Sequence, residues 1–537
     1  MRKPVVISSL LVLLIGAVGA PRVAAEEASC ESLAKLALPN TKITLAQLVP
    51  AGTFVAPPPP FPTPTPPSYK DVPAFCRVTA DVAPTLDSDI KIEVWMPLEH
   101  WNGKFRGQGN GGFAGIIDYD GMAADVKRGY AAGGTDTGHT TPDAAWALGH
   151  PEKVIDFGYR GVHEMTAQAK AITAAFYGHE PQHSYFASCS DGGREALMEA
   201  QRFPADYDGI LAGAPANYWT HLLVGAMWDV RATTLDPASY IPASKIPALG
   251  QAVLTACDAR DGLRDGILND PRQCHFDPET MLCTHDDSNT CLTAPQVAAL
   301  KKIYAGPHDS AGRLLFPGYV PGGEEGGGGW PLWITGNAPG RSLIAFFSEG
   351  YFTNMVYAKA GWDFKTFDID QATRLADAKT ADALNSTNPD LTPFMKRGGK
   401  LILYHGWSDA AISPLYTIDY YQSVQTKMGR RSTASFTRLF MAPGMQHCGG
   451  GPGPSIFGQD PGDPASDAEH NIYIALEQWV EKGSAPSSVI ATKYVQDNRS
   501  QGVQMTRPLC PYPQIAKYKG SGDTNDAANF ACAAGPR

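Results

Sequence analysis

Ser190 directly follows Cys189, and His447 directly precedes Cys448, in the segments SYFASCSDGGREA and MAPGMQHCGGGPG. A serine hydroxyl becomes a nucleophile when an imidazole can take its proton. If the two cysteines are bonded, their Cα atoms lie about 5.5 Å apart, and each flanking residue is only ~3.8 Å further along the chain. Such a bridge would bring Ser190 and His447 within hydrogen-bonding reach. Chance adjacency, or two buried thiols beside unrelated polar residues, are the alternatives.

The surroundings favour chemistry. Ser188 to Gly192 reads Ser-x-Ser-x-Gly, close to the G-x-S-x-G turn that lifts a nucleophile above a sheet. A serine at a strand–helix junction can also be a plain N-cap. In a triad on this kind of turn the acid and then the histidine follow, each after a strand. Asp409 in YHGWSDAAISP and His447 both do so, although Asp409 by itself reads as an ordinary turn aspartate. Backbone donors for an oxyanion are then expected from Asp191, next after the nucleophile, and from the glycine-rich loop GNGGF. Gly112 is the first candidate there and Gly111 the second; a merely flexible turn is the alternative.

The elements that must hold these residues are legible. SYFA reads as a strand, CSDGG as a tight turn, REALMEAQRFP as a helix and DGILAGAP as the next strand. That is a βαβ unit, implying a parallel sheet. The rhythm returns in GGKLILYHGWSD, SFTRLFMAPGMQHC and the amphipathic NIYIALEQWVEKG. Earlier, DIKIEVWMPLE alternates as a half-buried strand would, and WNGKFRGQGNGGFAG and GYAAGGTDTGH each run from a strand into a loop. The expected fold is α/β, with core segments 26–220 and 395–537 and an inserted lid at 221–394, rich in Gly, Pro, Trp and Phe. The length of 537 residues, beyond what one core usually supports, agrees with an insertion. A proline run at 56–67 reads as an extended strap over the surface, or less simply as a proline-recognition ligand.

Within the lid, CDARDGLRDGILNDPRQC sets Asp258, Asp261 and Asp265 in one loop between Cys257 and Cys274. Three hard carboxylates, with the Leu263 and Ile267 carbonyls able to turn inward, suit calcium's six to eight oxygen ligands. The spacing is not that of an EF-hand, and a solvated acidic turn is the alternative.

The N-terminus supplies an oxidising compartment for bridges. Met1-Arg2-Lys3, the apolar run VVISSLLVLLIGAVGA and the small residues up to Ala25 read as a secretory signal at 1–25. The expected location is secreted or periplasmic, with no membrane association after cleavage. All ten cysteines lie beyond Ala25. Connectivity is not fixed by sequence. Short loops favour Cys257–Cys274, Cys283–Cys291 and Cys510–Cys532, and Cys30–Cys76 would tether the N-terminus, which leaves Cys189 and Cys448. Zinc is disfavoured because no C-x-x-C pair occurs. The net charge of −10 without a basic run makes nucleic acid an unsuitable partner.

CSDGGREA, YHGWSDAA, GMQHCGGGPG, the CDARDGLRDG loop and the terminal RPLCPYPQIAKYKGSG together resemble the tannase and fungal-type feruloyl esterase family, which includes hydrolases of mono(2-hydroxyethyl) terephthalate. The resemblance implies an α/β-hydrolase core, a lid over the acyl pocket and a Cys189–Cys448 disulfide. It also implies a structural calcium on Asp258, Asp261, Leu263, Asp265 and Ile267. Family members cleave esters of aromatic acids, so the expected substrate is a small aromatic ester from plant polysaccharide, tannin or polyester. Trp330, Trp333, Phe346, Phe347, Tyr351 and Phe352 offer an aromatic pocket or, equally, a lid core. Arg341 could meet a substrate carboxylate, as a lid arginine does in the terephthalate monoester enzymes, but RSLIAFFSEGYF is otherwise unlike theirs. A feruloyl esterase-like serine esterase is therefore the first expectation. A tannase, a terephthalate monoester hydrolase and an acyltransferase with the same triad are the alternatives. A non-catalytic binding module is disfavoured by the intact triad.

Overall fold

A computed structural model describes residues 1, 29–58, 68–460, 463 and 465–535. The expected signal segment, apart from Met1, lies outside the described residues, as does all of the proline-rich strap except 56–58.

Nine strands form one sheet. In chain order they are β1 (Thr41–Val49), β2 (Phe75–Val82), β3 (Ile90–Pro97), β4 (Lys104–Gln108), β5 (Ala131–Thr135), β6 (His183–Cys189), β7 (Gly209–Gly213), β8 (Lys400–Gly406) and β9 (Thr437–Ala442). Their spatial order is β1-β2-β3-β5-β4-β6-β7-β8-β9. The first three and β5 pair antiparallel, and β5, β4, β6, β7, β8 and β9 pair parallel. The helices Gly161–Tyr177, Asp191–Arg202 and Pro414–Met428 share one apolar cluster with the sheet, while Tyr119–Lys127 and Ile472–Lys482 belong to separate clusters with it. Helices over a mostly parallel sheet, with the β6–helix–β7 unit at its centre, make the α/β-hydrolase architecture.

The strand expected to be half-buried is buried almost throughout. In β3, Ile90, Ile92, Val94 and Met96 join one cluster and Trp95 another. The polar position Glu93 is buried because Arg77 donates to it through Nε and Nη2 and the Trp95 indole donates to it at 2.8 Å. The alternation was real, but the polar residue faces a paired partner rather than water.

Between β7 and β8 the chain leaves the sheet for a helical insertion. The anticipated boundaries at 220/221 and 394/395 fall inside the helices Trp219–Thr234 and Thr392–Lys396, so the insertion begins and ends nearer the strand ends. Its apolar core is continuous with Phe113, Ala144 and Phe157 from the main body. The insertion is therefore packed down by the same hydrophobic burial that holds the core.

All ten cysteines are paired, as Cys30–Cys76, Cys189–Cys448, Cys257–Cys274, Cys283–Cys291 and Cys510–Cys532. Five bridges suit an oxidising compartment. Among the described residues no helix is long and apolar enough to cross a membrane.

Candidate active site

Ser190 stands between β6 and the helix Asp191–Arg202 with φ +68° and ψ −122°. A non-glycine residue rarely adopts this left-handed conformation, and it persists where surroundings over-determine it. Here the Ser190 N–H donates to Gly213 O at 2.9 Å, and its carbonyl accepts from Ala216 N at 3.0 Å. The turn also requires Gly192, where a Cβ would lie 1.9 Å from Ser188 Oγ.

The three residues expected to act together do meet. His447 Nε2 lies 2.9 Å from Ser190 Oγ, and His447 Nδ1 lies 2.8 Å from Asp409 Oδ2. The Cys189–Cys448 bridge joins the loops that carry them, with Cα atoms 5.9 Å apart across a sequence separation of 259. The loop after β9 is held further by Gln446, whose amide donates to Glu325 O and accepts from Gly328 N.

Asp409 is fully buried, and burial alone would raise its pKa. The nearby His447, with hydrogen bonds from His405 and His447, outweighs burial and holds the carboxyl well below the usual carboxylate range. His405, at the end of β8, was not singled out from sequence. Its Nε2 is 3.1 Å from Asp409 Oδ2, and the only trace in the sequence is a histidine four residues before the acid.

The glycine-rich loop expected to hold the oxyanion is tied to the helix that follows Ser190. Asn110 N donates to Glu195 Oε2 at 2.8 Å, and the Asn110 amide donates to Ile116 O and Thr135 O. Burial, then the charge of Asp191, pushes the Glu195 carboxyl up to about 8. His139 Nε2 donates to Phe113 O at 2.5 Å, and burial pushes this imidazole down to about 4. Gly112 sits at φ +60°, and a Cβ there would come within 3.1 Å of the Phe347 ring. Asp191 opens its helix, so its N–H has no intrahelical acceptor, while its carboxylate is turned to Arg194 Nε at 2.5 Å. Both Gly112 and Asp191 border the cavity at Ser190. Gly111 does not.

That cavity, about 70 Å³, is walled by Trp219, Leu222, Leu223 and Ala226 from the first helix of the insertion, by Trp333, Ile344 and Phe347 from further along it, and by Ala411 and Ile412. Trp333 meets the His447 ring edge-on at 4.9 Å. Of the six lid aromatics, only Trp333 and Phe347 reach the cavity. Trp330, Tyr351 and Phe352 are buried in the insertion's core. Phe346 is 43 % exposed and packs on Phe113 and Phe347, and Arg341 is exposed; neither borders this cavity. The helix Trp219–Thr234 supplies four residues of the wall, and its apolar pattern in the sequence reads as plain core. A larger opening of about 980 Å³ lies beyond the oxyanion loop, edged by residues 56–58, and does not include Ser190.

In the acidic loop, Asp258 Oδ1 accepts from Gly266 N, Asp261 from Leu263 N and Asn269 N, and Asp265 from Ile267 N. Burial and the neighbouring carboxylates, Asp265 included, raise the pKa of Asp258 and Asp261. Of the three aspartates, Asp265 is the one that Arg507 binds, at 2.9 Å.

The sheet order and the Ser–His–Asp hydrogen bonds define a serine hydrolase of the α/β-hydrolase class. Residues 76–533 match the family model described as tannase and feruloyl esterase. The chain belongs to that family, and is a carboxylic ester hydrolase. It is 40 % identical to an uncharacterized esterase of Xanthomonas campestris, covering 99 % of this chain and 96 % of the other. It is 35 % identical to the mono(2-hydroxyethyl) terephthalate hydrolase of Piscinibacter sakaiensis, covering 87 % and 86 %. The crystal structure of feruloyl esterase B from Aspergillus oryzae superposes with a TM-score of 0.86 at 31 % identity, covering 94 % of this chain and all of that one.

Proposed function

We propose that this chain is a secreted esterase of aromatic, feruloyl-type acids, acting through an acyl-enzyme on Ser190. The observation that carries the reading is the unbroken hydrogen-bond line from Ser190 Oγ through His447 to Asp409. Ser190 Oγ adds to the ester carbonyl carbon as its proton passes to His447 Nε2. Asp409 holds the imidazole with Nδ1–H towards the carboxylate and stabilises the imidazolium. The N–H groups of Asp191 and Gly112 receive the oxyanion. Collapse expels the alcohol, which takes the proton from His447, and water then repeats the sequence to release the acid.

The wall of the cavity is apolar and aromatic, as a flat acyl ring requires. Ligand pockets usually enclose about 300–1,000 Å³, so entry of such a ring calls for displacement of Trp333 or Phe347, which gives the insertion the role of a lid. Exposure of Arg341 away from the cavity counts against a terephthalate monoester as the preferred substrate.

Calcium fits the lid loop. Asp265 adds to burial in raising the pKa of both Asp258 and Asp261, Asp258 raises that of Asp261 further, and neither of the two has a basic side-chain partner among the described residues, a strain that a divalent cation would relieve. Asp258, Asp261 and Asp265 would hold it with the Leu263 and Ile267 carbonyls, and it would brace the loop outside the chemistry.

The test is a side-by-side measurement of kcat/KM on methyl ferulate, methyl gallate and mono(2-hydroxyethyl) terephthalate, with fluorophosphonate labelling of Ser190. Methyl ferulate is expected to be preferred. Faster turnover of the terephthalate monoester would replace the phenolic-acid reading, and absence of labelling in folded protein would remove the acyl-enzyme.

A further inference from the structure

Asp409 serves two histidines. His405 is completely buried, with Nε2 3.1 Å from Asp409 Oδ2 and 3.2 Å from Ile412 O. Carboxylate and carbonyl oxygens only accept, so Nε2 of His405 bears a proton. Its Nδ1 lies 2.8 Å from Thr417 Oγ1, whose hydroxyl can donate to it. The neutral ring is thus satisfied at both nitrogens. A second imidazolium here, beside the one that forms on His447, would set two buried cations against one carboxylate.

The other oxygen is equally occupied. Asp409 Oδ1 accepts from Ala411 N at 2.8 Å and Ile412 N at 2.9 Å, so four N–H groups surround the carboxylate, of which His447 supplies one. Each donor draws on the same negative charge. Removing one leaves the carboxylate a stronger partner for the imidazolium of His447.

Resting on the triad proposed above, we infer that His405 is a positioning residue that fixes the plane of the Asp409 carboxylate and restrains the basicity of His447. The other ionisable groups near this set are Tyr319, whose hydroxyl donates to Ala411 O, with Asp229 beyond it. Asp191 is engaged by Arg194, and Glu324 by the Tyr304 hydroxyl and Gly322 N. Thr417 and the Cys189–Cys448 bridge carry no charge.

The experiment compares the pH dependence of kcat/KM for wild type, His405→Phe and His405→Gln. His405→Phe keeps a ring but loses the donor, and His405→Gln keeps an N–H. For the Phe variant the acid limb should move to higher pH by about one unit, because a charge-bearing hydrogen bond has been removed from the competing side of Asp409. Its kcat should fall about tenfold, the effect of one lost hydrogen bond on the barrier, with KM little changed. The Gln variant should keep its acid limb near wild type. A folded Phe variant with an unmoved acid limb would overturn the inference, as would equal loss of kcat in both variants without a shift. Should the Phe variant not fold, Thr417→Val, which releases the His405 ring, carries the test: a smaller shift in the same direction supports the role, and no shift overturns it. Fluorophosphonate labelling of wild-type Ser190 separates this outcome from failure of the triad itself.

Discussion

The triad and the acyl cavity share one wall of the molecule but are built by different forces. Ser190, Asp409 and His447 each follow the carboxyl end of a parallel strand, and their polar atoms are fixed by directional bonds and a covalent bridge. The cavity instead arises where apolar side chains from 219–226, Trp333, Ile344, Phe347 and 411–412 stop short of one another. Hydrogen bonds tolerate little displacement, whereas apolar packing accepts volume-conserving exchange. Relatives of this chain named for different esters fit that contrast: the bonded half defines the reaction, and the packed half is free to change which acid is held.

The widest separation between the two halves should come from the triad. Ser190→Ala and His447→Ala are expected to abolish measurable turnover in protein that remains folded by circular dichroism. Asp409→Asn should cost about 10⁴ in kcat, because the wrong imidazole tautomer is then favoured. Near-normal turnover of Asp409→Asn would mean that another carboxylate serves His447.

Next in size is the bridge. In Cys189→Ala/Cys448→Ala the loop of His447 keeps only non-covalent ties, and a displacement near 1 Å can lower the rate about a hundredfold. Turnover per active site, titrated with a covalent probe, gives the answer. A wild-type value would show that the hydrogen bonds of Gln446 to Glu325 O and Gly328 N suffice to place His447.

On the packed side, Phe347→Ala and Trp333→Ala should lower kcat/KM for methyl ferulate by about tenfold, in line with ~1–2 kcal/mol of lost apolar contact. Turnover of a small acetyl ester should change far less. An equal loss on both esters would place these residues with the triad instead of the pocket.

Chelation should leave the rate at room temperature unaltered while lowering Tm by a few degrees, since a ligand bound only by the native state stabilises it. Asp261→Ala should reproduce the effect. An unchanged Tm in verified metal-free protein would remove calcium from the lid loop.

The smallest expected effect lies behind the oxyanion loop. Glu195 has a folded pKa of about 8 against an ordinary value of 4.5. A buried acid raised in this way costs no stability below its unfolded pKa, and the cost grows as pH rises from ~4.5 to ~8. Glu195→Gln can still accept from Asn110 N, so its Tm should exceed that of wild type at pH 8 and match it at pH 5. A gain that did not vary with pH would assign the effect to packing.

Much of the bonded half was legible before any coordinates. The turn at Ser190, the strand-end placement of Asp409 and His447 and the three short-loop disulfides rest on local rules, whereas Cys189 and Cys448, 259 residues apart, were left over by elimination and paired by the family resemblance. The half-buried reading of β3 failed because periodicity reports alternation, not what lies opposite; Arg77 neutralises Glu93 from a neighbouring strand. His405 escaped notice because a histidine in a buried strand end has the same appearance whether or not a carboxylate faces it.

The sequence by itself determined the class of chemistry, since a nucleophile, acid and base held at the carboxyl ends of the parallel strands β6, β8 and β9 need only local turns and one bridge to meet. Only the tertiary structure decided which lid aromatics face the acyl group. Phe346 and Phe347 are adjacent and alike in type, yet a helix turns them about 100° apart, and packing against Phe113 and Gly112 sends one to the cavity and leaves the other 43 % exposed. Burial is non-directional, so its outcome depends on the whole set of neighbours rather than on any short stretch of chain.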